Sequence, residues 1–114
     1  MNVTTEQRSG VELMAVAGRL DSTTSAIFEA ELLKWIESPA AHFVVDLSGV
    51  TFMSSAALRV LLTMAKRTAR SGKKVALAVS SAEVQEVFKI ANFTAIFKIE
   101  PTVDEAARCI LAQG

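Results

Sequence analysis

The chain has 114 residues, 51% of them hydrophobic and 21% charged, a balance that suits one globular domain spanning residues 1–114 and argues against intrinsic disorder. One cysteine, Cys109, and one histidine, His42, exclude a disulfide framework, a cysteine-ligated zinc site and multi-histidine metal motifs, and point to a reducing compartment. Twelve basic residues balance twelve acidic ones, so no global charge draws the chain to nucleic acid.

Met1 to Gly10 has no hydrophobic signal region, and no apolar run approaches the roughly 20 residues of a membrane helix. A soluble, cytoplasmic protein without direct membrane insertion is the expectation. Val3 to Arg8 reads as a polar edge strand, with Ser9-Gly10 as a turn. From Val11 to Val16 the residues alternate with both faces fairly apolar, a strand that Gly18 is expected to end. Asp21-Ser22-Thr23-Thr24 is a cluster of helix-capping residues, and Phe28, Leu32, Trp35 and Ile36 follow on one helical face until Ser38-Pro39. Phe43-Val44-Val45 suits a central strand covered on both sides, which Asp46 to Gly49 leaves.

Ser54-Ser55 then opens a strong helix. Leu58, Leu61, Leu62, Ala65 and Ala69 fall on one stripe, predicted to face the core, while Arg59, Thr63 and Lys66 share a different face. Ser71-Gly72 fits its C-terminal cap. Val75 to Val79 is a strand, and Ser80-Ser81 caps a helix with Val84, Val87, Phe88 and Ala91 in register. Ala95 to Ile99 is a strand that Pro101 ends. Thr102 opens a last helix with Val103, Ala106, Ala107, Ile110 and Leu111 in a stripe. After the opening hairpin, strands and helices alternate. That order predicts an α/β fold with one mixed sheet and helices packed on it, without deciding whether one face or both is covered.

No nucleophile–base pair is visible, so a small enzyme is the least supported class. His42 stands without a triad, Cys109 lies beside an apolar stripe, and no glycine-rich phosphate loop exists. Two features stand out. Ser54 and Ser55 sit at a strand-to-helix junction, where the first N–H groups of the helix favour an anion. One serine can simply cap the helix, or a serine there can be phosphorylated and the charge read by a partner. Second, no acidic residue lies between Asp46 and Glu83, a gap that holds Arg59, Lys66, Arg67, Arg70, Lys73 and Lys74. That run is either a solvated helix face or a docking surface for an acidic partner. No aromatic residue interleaves with it as nucleic-acid binding would require.

Asp46-Leu47-Ser48-Gly49-Val50-Thr51-Phe52-Met53-Ser54-Ser55-Ala56-Ala57-Leu58, with the leucine-rich run after it, resembles a STAS domain of the single-domain anti-sigma factor antagonist group. Gly18-Arg19-Leu20-Asp21 resembles the G-x-L-D turn of that family. The resemblance implies a single STAS-like domain: a mixed, mostly parallel sheet of four to five strands packed with about four helices. It implies binding to an anti-sigma factor that is also a serine protein kinase. Phosphorylation of a serine at the start of the second helix breaks the complex, and a serine phosphatase restores it. It implies that the chain itself needs no cofactor and is not an enzyme, with ATP and magnesium belonging to the kinase. Laid on the family's D-S-S-G-L pattern, the modified serine is Ser55, with Ser54 as the alternative acceptor. Asp21, Ser54, Ser55, Arg59, Thr63 and Lys66 are then the expected partner-binding residues. Two departures from the pattern matter: Ser54 stands for the family aspartate and Ala57 for its glycine. A scaffold that is never phosphorylated and a cytoplasmic STAS subunit of a membrane transporter are the alternative functions.

Overall fold

A computed structural model describes residues 1–8 and 10–112. Among them, five strands form one sheet in chain order: β1 (Asn2–Arg8), β2 (Val11–Leu20), β3 (His42–Met53), β4 (Lys74–Ala78) and β5 (Lys98–Glu100). Four α-helices intervene: α1 (Ser25–Trp35), α2 (Ser55–Arg70), α3 (Ala82–Ile90) and α4 (Val103–Ala112). β1 pairs antiparallel with β2, and the three later pairings are parallel. This is the mixed, mostly parallel sheet with four helices that the sequence predicts. Gly10 sits in the first turn; Ser9, the other residue expected there, lies outside the described residues.

The order of the strands decides the question periodicity leaves open. From β2 to β5 the sheet grows in one direction, so crossovers of one hand place α1, α2 and α3 on the same face. Phe28 and Leu32 of α1, Leu61 and Met64 of α2, and Val84 and Phe88 of α3 share one core there with Met14, Phe43, Val45 and Leu77 of the sheet. α4 follows the last strand and folds across the other face, where Ala106 and Ile110 pack on Val11, Leu13, Val44, Ala76 and Ala78. Alanines at three of these positions let that helix lie close.

Three expectations shift. β2 runs past Gly18 to Leu20, and β3 runs past Gly49 to Met53. The alternation that marks a strand fails there because the β2–β3 register slips twice, between Ala15 and Ala17 and between Gly18 and Arg19. Core-facing positions therefore go from Leu47 to Val50 and then Met53. Gly49 occupies the first bulge, where a Cβ would come within 2.8 Å of the Ala17 Cβ.

The inward stripe of α2 is rotated from the predicted one: Ala57, Val60, Leu61, Met64 and Thr68 are buried, and Leu58, Leu62 and Ala65 sit half-buried on its flank. Thr68 is tolerated inside because its hydroxyl donates to the Met64 and Ala65 carbonyls at 3.0 and 3.1 Å. Finally, Ala95 is no strand residue. Asn92 turns the chain at a φ of 61°, and Phe93–Ala95 form a single 3-10 turn before β5 begins at Lys98. The apolar residues here anchor that turn: Phe93 stacks on Phe88 with centroids 5.6 Å apart, and Phe97 is buried beside it.

Candidate functional site

β2 and β3 end side by side, with Leu20 opposite Met53, so the turns that follow them meet at one end of the sheet. The Ser54 N–H donates to the Leu20 carbonyl at 2.8 Å and ties the two turns together. Ser54 itself is extended, with φ −82° and ψ 167°. Its Oγ accepts the Ala57 N–H at 3.2 Å, and its carbonyl accepts the Leu58 N–H at 3.1 Å. Ser54 is thus the N-cap of α2, which leaves Ser55 as the first helical residue with its side chain exposed. The two adjacent serines have different work: one holds the helix end and the other faces solvent there.

Asp21 organises the neighbouring turn. Its carboxylate accepts the Thr23 N–H at 2.9 Å and the Thr23 hydroxyl at 2.6 Å, and the Arg19 guanidinium lies 3.6 Å away. The Thr23 hydroxyl and N–H, helped by Arg19, hold its pKa below the usual carboxylate value, against a smaller opposing effect of burial. Its backbone carbonyl accepts the Thr24 and Ser25 N–H groups at 3.2 and 2.9 Å, closing the entry to α1. The cap cluster in the sequence therefore works mainly through Asp21, since Thr24 at the N-cap position makes no side-chain capping bond.

Arg59 is exposed one turn beyond Ser55, and Thr63 is half-buried with its hydroxyl donating to the Arg59 carbonyl at 3.1 Å. Lys66 is exposed on the same helix but, at about 1.5 Å per residue, lies roughly 16 Å along the axis from Ser55. The structure thus brings Asp21, Ser54, Ser55 and Arg59 to one end and carries Lys66 away from it. His42 begins β3 at the opposite end of the sheet, and Cys109 is on α4 across the other face. Among the described residues no three His, Cys, Asp or Glu side chains gather where a metal ion could sit, and no helix is long and apolar enough to cross a membrane.

Sequence reasoning passes over two surface residues near these turns. Phe52 is 40% exposed, with the Arg19 guanidinium 4.4 Å from its ring centroid, and Ile27 on the first turn of α1 is 57% exposed. Ile27 was detectable as a large apolar residue off the Phe28-Leu32-Trp35 stripe. Phe52 was not, because two bulges separate it from the alternation of β3.

Residues 2–106 match the sequence model of the STAS domain family. BtrV of Bordetella bronchiseptica, described as a candidate anti-sigma factor antagonist, is 30% identical over 107 residues, covering 94% of this chain and 92% of BtrV. The crystal structure of an anti-sigma factor antagonist from Mycobacterium paratuberculosis superposes with a TM-score of 0.88 at 20% identity, over 96% of this chain and 92% of that one. The phosphorylated form of SpoIIAA, a Bacillus cell fate determinant, superposes with a TM-score of 0.68 at 15% identity, over 92% of this chain and 96% of SpoIIAA.

Proposed function

The chain belongs to the STAS domain family, and on that premise we propose that it is an anti-sigma factor antagonist switched by phosphorylation of Ser55. BtrV is described as a candidate anti-sigma factor antagonist and the Mycobacterium paratuberculosis neighbour as an anti-sigma factor antagonist, and SpoIIAA is known in a phosphorylated form. The observation that carries the reading is the division of labour between the two serines. Ser54 is occupied as the cap of α2, whereas Ser55 is exposed at the helix N-terminus. A phosphate on Ser55 would bring about −1.5 to −2 charges to the positive end of a helix, where the fold tolerates them and a partner meets them.

In this reading the unphosphorylated chain docks an anti-sigma factor that is also a serine kinase, through the end of the sheet that holds Asp21, Ser54 and Ser55. Arg59 and Thr63 extend the surface along α2, and Lys66, roughly 16 Å along the helix from Ser55, lies beyond it. The kinase supplies ATP and magnesium. A serine phosphatase removes the phosphate and restores binding. The chain acts by binding and contributes no catalytic group of its own.

Calorimetric titration of the partner kinase with three variants tests this. Ser55→Asp should fold like the wild type, since an anion at a helix N-terminus stabilises by about 0.3–1 kcal/mol, yet bind the kinase more weakly. Ser55→Ala should bind as the wild type and resist phosphorylation. Arg59→Glu should lose affinity, and lose less at high salt, because exposed charges are screened. Equal affinity for Ser55→Asp and the wild type would remove the charge switch. Unchanged affinity of Arg59→Glu at low salt would move the docking surface off this face of α2.

A further inference from the structure

The opposite end of the sheet carries a second surface. α2 packs along α1, and on its other side its second half borders a groove. The groove lies between α2, the 3-10 turn and the first residues of β4 and β5, is open, and has a volume of about 250 Å³. Ala69 and Ile96 line it, over Phe97, and Lys73, Lys74 and Lys98 border it. Ile96 is 48% exposed, a branched apolar side chain presented to solvent rather than to the core. The Lys73 ammonium donates to the Ile36 and Ser38 carbonyls, so it forms a fixed wall. Lys74 and Lys98 are exposed.

The lining of this groove carries charge of one sign: three lysines and no carboxylate. The chain contains no carboxylate from Leu47 to Ala82, and among the described residues the ion pairs involve only Arg8 and Arg19 as cations. The cationic border continues up α2 as Arg70 and Lys66, both exposed. A groove whose lining combines apolar side chains with three lysines and no carboxylate is complementary to a ligand of the inverse pattern. Phe97, the aromatic residue in the lining, is only 5% exposed, so no ring offers the stacking platform that single-stranded nucleic acid uses. The border also extends along the helix farther than a small anion would span.

We propose that this groove docks an acidic protein segment that places an apolar side chain against Ile96 and Ala69 and carboxylates against Lys74 and Lys98. β3, twelve residues long, separates the groove from the Ser55 turn. A partner held here therefore leaves the Ser55 end free, and the chain can hold two proteins at once. The inference goes beyond the Ser55 switch and does not depend on it.

The test is an NMR titration of the isotope-labelled chain with a short synthetic peptide of alternating glutamate and leucine. The expected amide shifts cluster at Ala69, Lys74, Ile96 and Lys98. Replacing the peptide's glutamates by glutamine, or its leucines by serine, should each weaken binding. The double variant Lys74→Glu/Lys98→Glu should weaken it about tenfold or more, because attraction at the rim becomes repulsion. Ile96→Ser should weaken it without altering the rest of the spectrum, and Ser55→Asp should leave it unchanged. An unfolded double variant would be recognised by its spectrum, and Ile96→Ser together with the peptide substitutions would then decide. Shifts centred on Ser55 and Arg59, equal binding by the serine-substituted peptide, tighter binding of a DNA oligonucleotide at the same lysines, or self-association of the free chain through Ile96 would each overturn the proposal.

Discussion

The two ends of the parallel strands are built differently. Where β2 and β3 finish, the turns are held by short polar bonds: Ser54 N–H to Leu20, Ala57 N–H to the Ser54 hydroxyl, and Thr23 to the Asp21 carboxylate. Where β4 and β5 begin, a lysine does the bracing, with Lys73 reaching two carbonyls at the end of α1. The first arrangement fixes backbone and leaves one hydroxyl exposed, which suits a site whose charge changes while its shape is kept. The second gathers permanent positive charge at a groove whose shape is set by side chains. The proposed switch at the first end and the proposed docking groove at the second would each rest on the kind of support it needs.

The most severe way to break the first end is at Gly49. In Gly49→Ala the new Cβ meets the Ala17 side chain at 2.8 Å and the Ala17 Cα at 3.2 Å, so β2 and β3 must move apart at the bulge. Overpacking of this kind costs about 1–3 kcal/mol. Thermal unfolding should show the loss, with partner affinity falling as the Leu20–Ser54 link is disturbed. Adding Ala17→Gly should recover part of both.

Lys73→Met strikes the other end. It removes two hydrogen bonds from a half-buried ammonium to carbonyls, and a loss of about 1.5 kcal/mol is expected in denaturant unfolding. Binding at the Ser55 end should not change. A smaller effect separates the two serines. Ser54→Ala deletes the cap of α2 and should cost about 1 kcal/mol, whereas exposed Ser55→Ala should stay within about 0.5 kcal/mol of wild type. Equal losses would mean that the serines share the capping.

The mildest test is acid. The Asp21 pKa is lowered in the fold, so its carboxylate stabilises the α1 entry at pH values above the ordinary carboxylate pKa, about 3.9. That stabilisation is lost as pH falls through the lowered folded value. Asp21→Asn should therefore be slightly less stable than wild type at neutral pH, with the difference vanishing in acid. A difference that persists at the acid end would assign the effect to lost geometry rather than to charge.

Element order and type were legible because each helix is preceded by capping residue types and carries its own apolar spacing. The Ser81 hydroxyl accepts the Val84 N–H and the Thr102 hydroxyl accepts the Glu105 N–H, as their positions in the sequence suggest. The Asp21 and Ser54-Ser55 turns were legible for the same reason, with the family motif naming them. What escaped depends on partners distant in sequence. The bulges in β3 exist only against β2, and they set the exposure of Phe52. The rotation of the α2 stripe depends on Ala57 and Thr68 fitting the core, which spacing of leucines cannot reveal. The aromatic trio of Phe88, Phe93 and Phe97 turned an apparent strand into a 3-10 turn by packing on α3.

The central claim is that Ser55 carries the switch while Ser54 holds the helix. Site-resolved mass spectrometry of the chain after incubation with its kinase and ATP, followed by titration of the modified protein against that kinase, tests it directly. The account predicts phosphate on Ser55, an unchanged unfolding temperature or a slight rise, and a loss of kinase affinity that phosphatase treatment reverses. Phosphate on Ser54 alone, or full affinity after phosphorylation of Ser55, would contradict it.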